Sequence, residues 1–279
     1  MGATFVIALR EGIEASLIVS ILLAYLRKVG RPEGSRLVWV GTGSAGALSA
    51  LVAIGIFLAG ASFDGRAAQL FEGSATLAAV AVLSWMIFWM RRQSATLRTE
   101  LQEKVDGALL AGGSALAAIA FFAVLREGVE TALFLFAAAS GTAVAQGAVA
   151  AQMLGAVLGL ATAVVLGVLL YRGGISLNLR TFFRATGLAL VVIAGGLLAY
   201  SLHEFQDAGV LPLLTATAFD LSATLPDDVG IGAILRGLVG YHATPSLLEV
   251  VAWVSYIVVV GRAFLRPAVA STTERVAVS

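Results

Sequence analysis

The chain has no cysteine, two histidines and two lysines among its 279 residues. Without cysteine there are no disulfides, thiolate metal centres, iron–sulfur clusters or cysteine nucleophiles. With two histidines and no cysteine, no cluster in the sequence is suited to a copper or haem centre. The lysines, Lys28 and Lys104, both fall between apolar runs, so no span carries a retinal Schiff base. There is no P-loop to drive a pump, and His203-Glu-Phe-Gln-Asp does not supply the H-E-x-x-H of a metallohydrolase. Charge is scarce too. Only 13% of residues are charged, about half the usual share, while 59% are hydrophobic and the mean hydropathy is +0.95. This composition predicts an all-α polytopic membrane protein with a single transmembrane domain over 1–279, and no nucleic-acid partner. No basic n-region or cleavage site precedes the first apolar run, so that run is expected to be a span rather than a signal peptide.

Runs of about 20 apolar residues predict seven transmembrane helices, at about 3–26, 37–60, 69–90, 113–137, 148–171, 183–204 and 246–265. The basic residues sort by loop. Arg27, Lys28, Arg31 and Arg36 follow the first span, and Arg91, Arg92, Arg98 and Lys104 follow the third. Arg172, Arg180 and Arg184 come between the fifth and sixth, and Arg262, Arg266 and Arg275 come at or beyond the end of the seventh. The opposite side holds Arg66 and Arg236. The positive-inside rule then puts the N-terminus outside and the C-terminus in the cytoplasm.

Two spans break the apolar pattern in the same way. Arg10-Glu11-Gly12-Ile13-Glu14 lies in the first, and Arg126-Glu127-Gly128-Val129-Glu130 in the fourth. Each charge near a span centre costs roughly 2.5–3.5 kcal/mol before pairing. At 100° per residue Arg10, Glu14 and Glu11 fall at about 0°, 40° and 100°, so all three share a sector and Arg10 can pair with Glu14. The second motif lies three spans after the first, with two spans between, so their helices are expected to be antiparallel. Spans 1–3 and 4–6 then form a 3+3 inverted repeat with the seventh added, an architecture that places substrate near the midplane. Facing motifs bring Glu11, Glu14, Glu127 and Glu130 together with Arg10 and Arg126, an excess of two negative charges. Such an oxygen site suits Fe(II), Fe(III), Mn(II), Mg(II) or Ca(II). The competing reading is a pair of buried ion-pair staples, which contribute little stability and need fewer carboxylates. Gly12 and Gly128 permit either close helix approach or a local helix break.

Other features have two readings each. Gly155-x-x-x-Gly159 allows backbones to approach. Trp85 and Trp89 fit an interfacial belt. Glu72 is either a rim charge or a ligand at an entrance. His203, Glu204 and Asp207 end the sixth span, and the outer segment 205–245 adds Asp227, Asp228 and His242. An acidic outer vestibule would concentrate cations, although acidic outer loops also arise from topology alone. Pro245 is expected at the first turn of the seventh span, with Glu249 about one turn inside.

The paired Arg-Glu-Gly-x-Glu motifs on the first and fourth of seven spans resemble the high-affinity iron permeases, both the fungal plasma-membrane permease and the bacterial Efe-type ferrous iron permease. Phe71-Glu72-Gly73, Trp85-Met-Ile-Phe-Trp-Met and Tyr241-His242-Ala-Thr-Pro-Ser-Leu-Leu-Glu249 resemble other parts of that family's pattern. The fourth motif position, usually Leu in the family, is Ile13 and Val129 here. The resemblance implies a non-enzymatic transporter in the plasma or inner membrane that takes up iron, Fe2+ or Fe3+, as substrate with no permanently bound cofactor. It implies Glu11, Glu14, Glu127 and Glu130 as ligands, supported by Arg10 and Arg126. Glu72, His203, Glu204, Asp207, Asp227, Asp228, His242 and Glu249 are then candidates for the approach to that site. It also implies an extracytoplasmic iron oxidase or iron-delivery protein as partner, since this chain lacks the ligands for an oxidase centre. The alternative is transport of another metal, such as lead or manganese, on the same carboxylates.

Overall fold

The computed structural model describes residues 1–93, 97–111, 113–140, 148–172 and 178–266. The described residues form helices α1 (Gly2–Lys28), α2 (Ser35–Ala61), α3 (Gly65–Gln93), α4 (Leu97–Ala111), α5 (Gly113–Ser140), α6 (Ala148–Tyr171), α7 (Leu179–Asp207), α8 (Gly230–Val239) and α9 (Leu247–Leu265). Each of the seven expected spans is a helix, with ends within four residues of the expected bounds. Arg275, and the side chains of Arg91, Arg92, Arg98 and Arg180 that the orientation argument uses, lie outside the described residues.

Among the described residues, five helices are long and apolar enough to cross a membrane: α2, α3, α6, α7 and α9. The other two long helices, α1 with 27 residues and α5 with 28, each carry the three charges of their motif. At 1.5 Å per residue both exceed the roughly 30 Å hydrocarbon thickness. Apolar side chains such as Leu51, Ile54 and Leu58 on α2, and Val157, Val164 and Val165 on α6, are more than half exposed. A surface of that kind is costly in water and suits lipid. The chain is a multi-pass membrane protein.

The helices pack in a pattern set by small residues. Along α6, Gly155 meets Met1 and Thr4, Gly159 meets Phe5 and Leu9, and Gly167 meets Ser16, so α1 and α6 run parallel. Along α5, Ala117 and Phe121 meet Gly41, Gly128 meets Ser49 and Phe136 meets Gly60, so α2 and α5 run parallel too. Exchanging α1 with α5 and α2 with α6 turns the first pair into the second. Helix α3 packs on α7, which packs on α9.

Helices α1 and α5 cross antiparallel. Ala3 and Ala138 line one cavity at one end of the bundle, and Leu26 and Leu116 both flank Gly34 at the other. Two apolar cores result. Ile7, Ile13, Leu83, Phe134 and Leu190 belong to one. Leu22, Leu26, Val38, Val105 and Leu116 belong to the other. On α5 the motif falls between residues of the two cores, and on α1 it falls among those of the first, with the second core beginning at Ile18.

Two shorter helices cap the bundle; the apolar content of Ile231 to Val239 predicts packed structure there, but not that it is a helix. Helix α4 buries Leu101, Val105 and Ala108 against the Leu26 end, and Tyr25 donates to Asp106 at 2.8 Å. Helix α8 covers the opposite end, with Leu238 against Gly2. The outer segment expected at 205–245 is therefore shorter, since α7 runs on to Asp207 and α8 occupies ten residues. The irregular stretch between them is tied to the start of α9 through Ala218 N–H to Pro245 O and Leu221 N–H to Ala243 O, both 2.9 Å. Pro245 is not the first residue of α9. Ser246 is its N-cap, and the Ser246 and Glu249 side chains form a reciprocal capping box that fixes the helix start at Leu247, two residues later.

Candidate metal site

Within the charged layer, Arg10 is 1% exposed and pairs with Glu14 at 3.1 Å and Glu11 at 3.4 Å. The i,i+4 pair expected from helical spacing is present, and so is the pair to the adjacent Glu11. In the second motif Arg126 pairs closely with Glu127 and lies 3.8 Å from Glu130. Glycine brings neighbouring helices onto both motifs while α1 and α5 stay continuous. A Cβ on Gly12 would sit 2.6 Å from the Ala163 side chain of α6, and one on Gly128 would collide with Ser49 of α2. Of the two roles open to these glycines, close approach is the one they serve.

Glu11, Glu14 and Glu127 are buried, and each offers a carboxylate oxygen within 4.8 Å of the other two. Glu130 falls outside that set, so the expected four-carboxylate cluster is three carboxylates with a fourth beside them. Oxygens Oε2 of Glu11, Glu127 and Glu130 are buried with no hydrogen-bond partner among the described residues. At an effective dielectric of about 20, two carboxylates 4.8 Å apart repel by roughly 3.5 kcal/mol. Four carboxylates against two guanidiniums do not balance. A cation between the three converging oxygens converts the repulsion into attraction, and no rearrangement of the two arginines does the same.

Both arginines rest on α3, which reasoning from sequence missed. Arg10 Nη1 lies 3.7 Å from the Met86 sulfur, and the Arg126 guanidinium stacks over the Trp89 ring at 4.7 Å. Trp85 and Trp89 stack on each other with centroids 5.9 Å apart. Trp89 is therefore a partner of the charged layer as well as an aromatic near a span end. The i,i+4 spacing of the two Trp residues signalled a shared face, but not what that face meets.

The remaining candidates form a second group at the α8 end. His203 Nδ1 is 3.1 Å from Glu249 Oε1, and His242 Nδ1 is 3.4 Å from Glu249 Oε2. Asp207 lies 3.5 Å from His203 Nε2, and Asp227 lies 3.8 Å from His242 Nε2 and 3.1 Å from Arg236. Glu72 takes a different role, accepting the Tyr200 hydroxyl at 2.5 Å between α3 and α7. Glu204 is half-buried on the same stretch of α7, and Asp228 is exposed. The structure thus joins His203, Asp207, Asp227, His242 and Glu249, and leaves Asp228 outside the group.

The model of the iron permease FTR1 family matches residues 1–278. Among curated relatives, the ferrous iron permease EfeU of Escherichia coli O6:K15:H31 is 41% identical over 98% of both chains. EfeU of Yersinia pestis is 38% identical over 92% of this chain and 91% of its own. No solved structure matches.

Proposed function

The chain belongs to the iron permease FTR1 family, and on that footing we propose that iron crosses the membrane through the layer where α1 meets α5. Glu11, Glu14 and Glu127 replace the ion's hydration shell, Glu130 receives it beside them, and Arg10 and Arg126 hold the carboxylates in register through their planar guanidiniums. One observation carries this reading: three buried carboxylate oxygens converge within 4.8 Å among apolar core residues. A staple between helices has no use for the third.

The same reading takes the seven long helices as spans, six of them a 3+3 inverted repeat, with the N-terminus outside and the C-terminus in the cytoplasm. The parallel pairings α1–α6 and α2–α5, which exchange under the repeat, support it, as do the loop charges. Rocking of one repeat against the other about the shared carboxylates would then expose them to each side in turn. An extracytoplasmic oxidase or delivery protein would dock on the segment between α7 and α9.

Proteoliposomes offered radioactive Fe(II), Fe(III), Mn(II) and Pb(II) test the function. We expect iron uptake, and a fall of about 100-fold for Glu14→Gln or Glu127→Gln, the equivalent of losing roughly 3 kcal/mol of charge–charge attraction. Uptake of manganese or lead without iron would overturn the assignment of substrate. Wild-type rates in both variants would remove these carboxylates from the path.

A further inference from the structure

We propose that His203, His242 and Glu249 form a second, nitrogen-bearing metal site at the α8 end of the bundle, which selects transition-metal ions ahead of the all-oxygen site in the membrane.

The fold builds this group from three separate elements. His203 comes from the last turns of α7 and Glu249 from the first turn of α9, where the Ser246 capping box fixes its carboxylate. His242 follows the end of α8, where Gly240 takes a left-handed φ of 71° and packs directly on Gly196 of α7. Any side chain at either glycine would push the two imidazoles apart. The rings lie 4.9 Å between centroids, and one ligand atom from each of the three residues falls within 4.8 Å of the others. The separations of 3.1 and 3.4 Å between Glu249 oxygens and the two Nδ1 atoms match the edge of a coordination shell with bonds of about 2.1 Å. The three side chains line a cavity of about 50 Å³, large enough for an ion with water, whose walls include Ala3 of α1 and Ala138 of α5. From Ala3, α1 descends about 12 Å to Glu11.

The outer nitrogens have the partners that a metal-bound histidine uses. Each imidazole has a carboxylate on both sides: Glu249 at Nδ1, and Asp207 or Asp227 at Nε2. A neutral imidazole has only one N–H, so each ring meets its two carboxylates either as an imidazolium or with a metal on one nitrogen. With a metal on Nδ1, each Nε2–H faces its aspartate, 3.5 Å away for His203 and 3.8 Å for His242, the kind of partner that orients metal-bound histidines. Asp207, Asp227 and Glu249 against Arg236 leave two negative charges, which one divalent ion offsets.

Two imidazoles and a carboxylate favour Fe(II), Co(II) or Zn(II) over Mg(II) and Ca(II), whereas oxygen ligands alone reject neither. The group thus supplies a discrimination that Glu11, Glu14 and Glu127 cannot. Its position as an outer station rests on the path proposed above; its ability to bind metal does not.

The probe is Co(II) on the purified full-length protein, read by X-ray absorption for imidazole scattering and by equilibrium dialysis for affinity. We expect imidazole-ligated cobalt that survives millimolar Mg(II), is lost in the His203→Gln/His242→Gln double variant, and persists in Glu14→Gln. Asp207→Asn, a change at an exposed position, should weaken it 10–100-fold while leaving the fold intact. Cobalt without imidazole scattering, or full-affinity binding by the double variant, would overturn the proposal and show an ion-pair clamp only. Intact imidazole binding in a protein that transports no iron would instead contradict the transport path and leave this site standing.

Discussion

Arg10 and Arg126 hold equivalent places in the two motifs, yet their surroundings differ. The Arg10 side chain is 2% exposed with a sulfur beside it, and the Arg126 side chain is 41% exposed with an indole beneath it. The more accessible guanidinium needs the more directional support. A cation–π contact is worth about 0.5–2 kcal/mol, so Trp89→Leu should weaken apparent iron affinity in uptake assays by about 2- to 30-fold at unchanged expression. Unaltered uptake would mean that the stacking does not position Arg126. The carboxylates themselves were legible in the sequence, because a charge in a membrane-length apolar run is expensive enough to mark a site. Their supporting residues were not. Met86 and Trp89 are ordinary occupants of a span, and only packing shows that they face the arginines. The same limit applies to Glu130: helical angles put it on the right sector, but the 4.8 Å convergence depends on side-chain placement across α1 and α5.

For the elements, small residues decide how closely helices approach. Gly128 sits against Ser49 with no room for a Cβ, whereas Gly43 and Gly46 on α2 face open space. Gly128→Ala should therefore lower stability by about 1–3 kcal/mol, read by thermal unfolding in detergent, and Ser49→Gly should recover part of that loss. Gly43→Ala should leave the melting temperature nearly unchanged. Equal effects at both positions would show that α2–α5 packing is not set at the motif glycine. The long helices were legible because twenty apolar residues have few alternative folds in lipid. Helices α4 and α8 were not, being too short to span and each embedded in a stretch rich in loop features. The Ser246–Glu249 capping box was present in the sequence as S-x-x-E. The expectation that Pro245 opens the helix hid it.

On the scale of the whole molecule, the orientation proposed from loop charge is open to direct test. The chain has no cysteine, so single cysteines can be introduced without background. Ser222→Cys, in the segment between α7 and α8, should react with a membrane-impermeant maleimide on intact cells. Lys104→Cys, on α4, should react only after permeabilisation. The reverse labelling would invert the protein and with it the direction assigned to the path. The antiparallel crossing of α1 and α5 was readable because only two expected spans, an even number, lie between the motifs. The exchange of α1–α6 with α2–α5 packing is what the proposed inverted repeat requires.

If iron is held by carboxylates from α1 and α5 at once, a structure of the iron-loaded protein, with anomalous scattering at the iron edge, will show it. A peak is expected within bonding distance of Glu11, Glu14 and Glu127 between α1 and α5, lost in Glu14→Gln. An iron-loaded protein with no peak among these three side chains, while Arg10 and Arg126 keep their carboxylate pairs, would contradict it.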